Sequence, residues 1–194
     1  MDWLVTNAGE CKPLFQASRP SQPTECYRLY RLLTDLEDIL SQDLELTQQL
    51  AEIVPLVRRL LTESYWWQVP DQAPDPELGW AVQSLYDEPF FDLTVQLVTW
   101  LPGASSPIHN HGTWAVIAMI SGAELNQFWQ NSQQIQLVGE QTFTAGEILA
   151  LMPQVIHQVS VCGEEPTISL NIYGKADYDA RLEFDPLDYR ANPY

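Results

Sequence analysis

The strongest constraint on the fold is a succession of short strand-like segments in the second half of the chain. From residue 93 onwards, Leu93, Val95 and Leu97 alternate with the residues between them, which is the pattern of a half-buried strand. Further strands are predicted at residues 113–120, 123–130, 134–138, 147–151, 156–161 and 167–173, separated by Gly, Asn, Ser and Pro residues. Many short strands at this spacing are typical of an all-β barrel or jelly roll.

A different periodicity precedes the strands. Between residues 24 and 40, apolar side chains recur at helical spacing, with Thr24 as the expected N-cap. A second helix is predicted from residue 43 to residue 61, and Pro55 is expected to kink or split it. The 194 residues are predicted to form a single domain with an extended arm (1–23), a helical cap (24–68), a β-barrel (78–174) and a C-terminal tail (175–194).

Acidic residues dominate the charge of the chain. Twenty-six Asp and Glu residues against nine Lys and Arg residues give a formal net charge of −17. Such a surface repels phosphate backbones and anionic membranes, so neither nucleic acid nor a membrane is expected as a partner. No apolar run approaches the roughly 20 residues that span a bilayer, and the first residues do not resemble a signal peptide. We therefore expect a cytoplasmic protein.

All three histidines of the chain lie in the strand-rich half. His109 and His111 are two residues apart, so in a strand their side chains project from the same face and can bind one metal ion. His157 follows after 46 residues, which is enough for several strands to return the chain to the same end of a barrel. The spacing predicts a three-histidine metal site. It does not choose the metal, because imidazole binds iron, zinc, nickel and copper.

The segments around these histidines resemble the motifs of a known superfamily. Residues 102–111 resemble the first cupin motif, and residues 146–157 resemble the second. The glutamate that usually follows three or four residues after the second histidine is missing, since Trp114 and Ala115 stand there. The resemblance implies a mainly β cupin fold, the double-stranded β-helix or jelly-roll barrel, with an N-terminal helical region.

The all-histidine form of the motif narrows the resemblance. Together with the later segment Ser169–Tyr173, it is similar to the type I cysteine dioxygenase family, in the bacterial thiol dioxygenase branch that includes 3-mercaptopropionate dioxygenase-like proteins. The similarity extends over residues 25–186. It implies an iron(II) ion as cofactor at the three histidines. It also implies that a small thiol, of the cysteine or 3-mercaptopropionate type, is oxidised by O2 to its sulfinic acid.

The resemblance also implies three catalytic residues. Ser169, Asn171 and Tyr173 alternate with apolar residues and should share one face of a strand. In the family, the corresponding positions form a Ser-His-Tyr relay. Asn171 stands here in place of the histidine, and an amide exchanges hydrogen bonds but does not titrate at neutral pH. Tyr173 is therefore expected to orient the substrate or dioxygen without a tuned relay.

The implied substrate-binding residues are Arg181 and Gln83. Family members that use cysteine carry an arginine ahead of the first barrel strands, but residues 80–88 contain no basic residue. Some bacterial relatives have glutamine there and an arginine beyond the tyrosine. Gln83 and, with a one-residue shift, Arg181 match those positions. The planar guanidinium group suits a substrate carboxylate because it can donate two parallel hydrogen bonds.

Three functions remain open from the sequence. The first is an iron-dependent thiol dioxygenase. The second is a cupin metalloenzyme with a non-thiol substrate, favoured by the missing arginine and the missing relay histidine. The third is a cupin that binds a metal without turnover, as a sensor or a ligand-binding module. Oxygen uptake with a thiol, turnover with another substrate class, and saturable binding without turnover distinguish them.

Overall fold

The computed structural model describes residues 2–14, 26–64, 68–88, 91–132, 134–175, 180–185 and 191–193. Two helices are present in these ranges, α1 (Leu29–Leu40) and α2 (Leu46–Glu63). The strands are β1 (Asp2–Val5), β2 (Cys11–Pro13), β3 (Trp80–Asp87), β4 (Leu93–Trp100), β5 (Ile108–Asn110), β6 (Ala115–Ser121), β7 (Ala123–Asn131), β8 (Ile135–Thr144), β9 (Ile148–Leu151), β10 (Ile156–Cys162), β11 (Thr167–Gly174), β12 (Leu182–Phe184) and β13 (Ala191–Pro193).

The strands form two sheets. One has seven strands in the order β2-β1-β9-β6-β11-β4-β3, and the other has six in the order β13-β12-β5-β10-β7-β8. Central neighbours such as β11 and β4, or β10 and β7, pair antiparallel although they are far apart in the chain. This is the double-stranded β-helix of the cupin type, with helices added at the N-terminal side. The predicted fold class is confirmed.

The central strands of the seven-stranded sheet are buried on both faces. Its outer face packs on the helices, where α2 contributes Ile53 and Val57 to a cluster with Val116 and Ile172. Its inner face packs on the other sheet through a second cluster of buried side chains: Val5, Ala115, Ile117, Met119, Phe128, Phe143, Leu149, Leu151 and Val155. Alternate residues of the central strands thus serve two different cores, which explains why β11 is almost wholly buried.

Two strands of the barrel lie within the extended arm predicted for residues 1–23, of which residues 1 and 15–23 lie outside the described residues. β1 pairs in parallel with β9, with Asp2 opposite Ile148, and β2 pairs antiparallel with β1. Asp2 is buried and forms an ion pair with Arg58 of α2. The prediction missed these strands because four and three residues are too few to show an alternating pattern.

The predicted tail, residues 175–194, also contributes to a sheet. β12 pairs with β5, so that Glu183 lies opposite His109, and β13 pairs with β12. Arg181 immediately precedes β12 and is thereby held next to the histidine-bearing strand. The C-terminal residues therefore form part of the structure around the histidines.

The helical cap agrees with the prediction except in detail. Thr24, the expected N-cap of the first helix, lies outside the described residues, and α1 begins at Leu29. α2 runs through Pro55 without a break, so the expected split does not occur. Its N-terminus is stabilised by a capping box between Glu45 and Gln48. In the described part of the chain, neither helix combines the length and the apolar character required to cross a bilayer.

Candidate metal centre

The three histidines meet at one point of the six-stranded sheet. His109 in β5 lies directly opposite His157 in β10, and His111 follows the end of β5. One ring nitrogen from each histidine lies within 4.8 Å of the others. The Nε2 atoms of His111 and His157 are 2.9 Å apart. The convergence predicted from the spacing of the histidines is confirmed.

The separation of two of the nitrogens, those of His111 and His157, fits ligands of one metal ion. Imidazole nitrogens lie about 2.0–2.1 Å from a bound divalent metal, so two of them at right angles are about 3.0 Å apart. The Nε2 atoms of His111 and His157 have this separation. His109 and His157 are buried and His111 is half-buried, so the site is sheltered from water.

Hydrogen bonds at the opposite ring nitrogens orient two of the three imidazoles. The Nδ1 atom of His109 is 3.0 Å from the carbonyl oxygen of Pro107, and Nδ1 of His157 is 2.9 Å from Oδ1 of Asn126. Both oxygens are acceptors, so each Nδ1 donates and the lone pair of each ring is on Nε2. This is the arrangement by which proteins orient histidine ligands of metals. Asn126 was not predicted as a site residue. It is two residues from the core residue Phe128 on β7, so its side chain points to the same, inner face.

Burial lowers the pKa of all three histidines. For His111, the neighbouring His109, His157 and Arg181 lower the pKa further because they disfavour another positive charge. Neutral imidazole is the form that binds a metal, and each bound proton must leave before the metal can bind. The site thus keeps its ligands deprotonated below the ordinary histidine pKa of 6.5.

A cavity of about 530 Å³ opens in front of the histidines, between the two sheets. His109, His111, Tyr173 and Arg181 line it, so the structure brings four of the predicted site residues together. The aromatic rings of His111 and Tyr173 are 5.0 Å apart between their centres. The acidic side chains of Asp87 and Glu183 are also in the lining.

Ser169, Asn171 and Tyr173 form one hydrogen-bonded chain on the inner face of β11. The amide Nδ2 of Asn171 donates to the hydroxyl of Ser169 at 2.9 Å and to its carbonyl oxygen at 3.2 Å. The hydroxyl of Tyr173 donates to Oδ1 of Asn171 at 3.3 Å. Ser169 and Asn171 are buried, and only Tyr173 is in the cavity lining. The predicted shared face is present, with Asn171 as the middle member.

Arg181 and Gln83 differ in where the structure places them. Arg181 lines the cavity together with His109 and His111, just before β12, in which Glu183 is paired with His109, and its charge lowers the pKa of both histidines. Gln83 is not in the lining and instead exchanges two hydrogen bonds with Asp71, at 2.8 and 3.2 Å. Its neighbours Trp80 and Val82 line the cavity, so Gln83 is on the opposite face of β3. The structure thus does not bring Gln83 to the site as predicted.

A buried carboxyl group lies on the same face of β7 as Asn126. Glu124 is only 3% exposed and accepts a hydrogen bond of 2.6 Å from the hydroxyl of Thr167. Burial raises its pKa, although the bond from Thr167 opposes the shift. The folded state therefore binds a proton at Glu124 more readily than the unfolded state, and stability is lost as pH rises from the unfolded value of 4.5 through the folded pKa.

Glu124→Gln is expected to raise the free energy of unfolding at pH 7.5 by on the order of 1 kcal/mol. Glutamine keeps an oxygen that can accept from Thr167 and removes the buried charge. The gain should vanish at about pH 3, well below the unfolded pKa of 4.5, where Glu124 is protonated in both states. Urea unfolding at the two pH values measures it, with the exposed Glu164→Gln as the matched control. An equal change in the free energy of unfolding at both pH values would show that the buried charge of Glu124 is not the cause.

Comparison with known proteins adds the following. No family model matches the chain. A protein of Klebsiella pneumoniae with a double-stranded β-helix domain shares 18% identity over 54% of this chain and 84% of its own, with a TM-score of 0.45. Bacillus subtilis oxalate decarboxylase, whose structure concerns its Mn(II) centres, shares 24% identity over 58% of this chain and 30% of its own, at 0.47. An oxalate oxidase bound to glycolate shares 16% over 50% of this chain and 52% of its own, at 0.40.

The chain therefore spans about half the length of the oxidase and less than a third of the decarboxylase. Likeness at these values carries no inference about activity. The possible metal site rests on the chain's own residues, His109, His111 and His157, in a barrel of the cupin type.

Proposed function

We propose that the protein is a non-haem iron(II)-dependent thiol dioxygenase. Its substrate would be a thiol carboxylate of the cysteine or 3-mercaptopropionate type, and the reaction would be R–SH + O2 → R–SO2H. The observation that supports this most is the convergence of three neutral imidazoles, without a carboxylate in the ligand group, on a cavity that also holds Tyr173 and Arg181. Zinc, nickel and copper remain possible ions for the same ligands.

The uncharged ligand set matters for the choice of substrate. Three imidazoles add no negative charge, so the site keeps the full charge of a divalent ion and favours the thiolate over the thiol. When bound, iron(II) would supply the redox chemistry between dioxygen and sulfur. The lowered pKa values of the three histidines keep the imidazoles neutral. A protonated imidazole would place a positive charge next to the metal ion.

Arg181 is proposed to bind the carboxylate of the substrate. Arg181, His109 and His111 line the same cavity, so a thiol carboxylate bound by the guanidinium group would direct its sulfur towards the ligand nitrogens. Asp87 and Glu183 in the same lining offer negative charge to an ammonium group. This combination of charges suits a zwitterionic head such as that of cysteine.

Tyr173 is proposed to orient the reactants. Its hydroxyl hydrogen is donated to Asn171, whose own amide hydrogens are used by Ser169. The oxygen of the phenol is thus held in place at the cavity wall, and the centres of the Tyr173 and His111 rings are 5.0 Å apart. Asn171 fixes the position of this hydroxyl but does not titrate, so Tyr173 acts here as a fixed hydrogen-bonding group.

Tyr173→Phe is expected to lower kcat about tenfold, the effect of losing one hydrogen bond worth about 1.4 kcal/mol in the transition state. Bound metal should stay at the wild-type level, because Tyr173 is outside the ligand group. Oxygen-electrode kinetics and metal analysis give the two values. Tyr86→Phe, which removes a hydroxyl bonded to Glu88 at the surface, is the control. An unchanged kcat would leave Tyr173 with a packing role only.

The proposal is tested by anaerobic reconstitution with iron(II) followed by oxygen-uptake measurements with cysteine, 3-mercaptopropionate and cysteamine. Sulfinate is detected by mass spectrometry, and one mole should form for each mole of oxygen consumed. Comparison of the three thiols separates the contributions of the carboxylate and the ammonium group. If none of the three thiols stimulates oxygen uptake although iron is verified as bound, the proposal is contradicted.

The second candidate is a cupin metalloenzyme with a non-thiol substrate. Asn171 supports it, because the resemblance to thiol dioxygenases calls for a titrating histidine at this position and the amide cannot supply it. Turnover with another class of substrate, in the absence of thiol oxidation, is the expected result in that case. Saturable binding without any turnover would instead indicate a non-catalytic metal-binding cupin.

A further inference from the structure

The cavity is much longer than a three-carbon thiol. It is lined along β4 by alternate residues from Thr94 to Trp100, which all face the interior. Six residues of an antiparallel strand span about 20 Å at about 3.4 Å per residue. Tyr173 is paired with Thr94 at one end, and Trp80 is paired with Trp100 at the other. The end of the cavity at the histidines is thus well separated from the end at Trp80 and Trp100.

The volume leads to the same conclusion. A space of about 530 Å³ corresponds to the liquid volume of about 18 water molecules at about 30 Å³ each. Cysteine or 3-mercaptopropionate would fill only a part of it near Arg181 and the histidines. The remainder would hold water, and at Trp80, Val82, Val98 and Trp100 this water would lie against apolar side chains, which is an unfavourable arrangement.

The far end of the cavity has an apolar, aromatic wall. The indole rings of Trp80 and Trp100 are 6.0 Å apart between centres and inclined at 44°. Val82 and Val98, which are paired with each other, continue this wall towards the middle of the cavity. Both indoles are only partly buried, although they belong to the cavity lining. Aromatic side chains exposed in a cavity provide stacking and apolar contact for a ligand.

We propose that the substrate is an elongated thiol carboxylate, whose apolar tail ends in an aromatic ring that contacts Trp80 and Trp100. The head would lie at Arg181 and the histidines, and the tail would run past Val82 and Val98. For the thiol head, this inference rests on the proposed function. The length and the aromatic end of the ligand are inferred from the cavity alone, and binding can test them without turnover.

Isothermal titration calorimetry with N-acylserines tests the tail, since a hydroxyl replaces the thiol and the ligand cannot be oxidised at sulfur. An amide replaces the ammonium group in every member, so any contact of that group with Asp87 and Glu183 is lost equally along the series. The iron(II)-loaded protein is titrated under argon with N-acetylserine, N-hexanoylserine and N-(6-phenylhexanoyl)serine. Kd should fall along the series, by at least about tenfold from the first to the last, because each extension buries apolar surface.

Two cavity variants, compared with one surface control, show where the tail binds. Trp80→Ala should remove most of the gain between the acetyl and phenylhexanoyl ligands, whereas Leu78→Ala should retain it, since Leu78 is an exposed residue outside the lining. Val82→Phe fills the middle of the cavity without truncating an aromatic side chain. It should weaken the binding of the longer ligands far more than that of N-acetylserine. Equal Kd values along the series, or a gain that survives both cavity variants, would overturn the inference.

The matching N-acylcysteines separate this inference from the proposed function. Oxygen uptake with all three thiols, but without dependence of kcat/KM on tail length, would contradict the elongated substrate and leave the dioxygenase standing. Tail-dependent binding of the serine series without oxygen uptake from any thiol would contradict the dioxygenase and leave the elongated ligand standing. Rising kcat/KM along the cysteine series supports both.

Discussion

His157→Ala is expected to reduce bound iron from about one ion per chain to less than about one-tenth. The substitution removes one of three converging nitrogens and also leaves Oδ1 of Asn126 without its donor. With two imidazoles left, the ion loses the ligand that stands 2.9 Å from Nε2 of His111. Loss of a first ligand should cost more than the roughly 10–100-fold typical of outer partners. Equilibrium dialysis at limiting iron(II), followed by metal analysis, gives the ratio.

Two comparisons guard this result against a folding defect. Because His157 is buried, its removal creates a cavity, so His111→Ala at the half-buried ligand should be measured in parallel. Gln158→Ala changes the next residue of β10, outside the ligand group, and should bind iron like the wild type. Undiminished stoichiometry in both histidine variants, with the far-UV circular dichroism of a folded barrel, would exclude the three-histidine centre.

Arg181→Ala is expected to raise the KM for cysteine about 100-fold and the KM for cysteamine less than about threefold. The two thiols differ only by the carboxylate, so the ratio isolates the interaction that Arg181 is proposed to make. Hydrogen bonds to a charged group contribute about 1.5–3 kcal/mol, which corresponds to roughly 10–150-fold. Initial rates at varied thiol concentration, with iron loading verified, provide both constants.

Arg31→Ala serves as the control for the loss of a positive charge. Arg31 pairs with Asp35 on the surface of α1, so neither KM should change. If Arg181→Ala raises the KM of both thiols equally, Arg181 acts on the charge of the centre and does not bind the carboxylate. If it raises neither, Arg181 has no part in substrate binding.

Much of the barrel could be predicted from the alternation of side chains. The strands predicted between residues 113 and 173 correspond to β6–β11: five of them have seven residues or more, and the four-residue β9 is bounded by the turn residues Gly146 and Pro153. The strand predicted at 134–138 continues to Thr144. Gly139 resembles a stop signal, but in the structure it marks a β-bulge, where the register of β7 and β8 shifts between Phe128 and Trp129.

The site could be predicted only in part. Alternation shows which residues of a strand share a face, but it does not show which face points into the barrel. Ser169, Asn171 and Tyr173 share a face as expected. On β3, however, the sequence does not reveal which of the two faces is inward, and Gln83 proved to be on the side opposite Trp80. Asn126 was missed for another reason: its role depends on the pairing of β7 with β10, which brings together residues 31 positions apart.

The parallel pairing of β1 with β9 has a consequence for how the protein folds. It joins Asp2 to Ile148, so both helices and strands β2–β8 lie in the loop that this contact closes. Closing so long a loop is entropically costly until the intervening chain is ordered, and such non-local strands are expected to dock late. Trp3, whose indole donates to Glu147, lies within this strand and next to the ring of Phe143. Its fluorescence should therefore report the last step of assembly, after the central strands have paired.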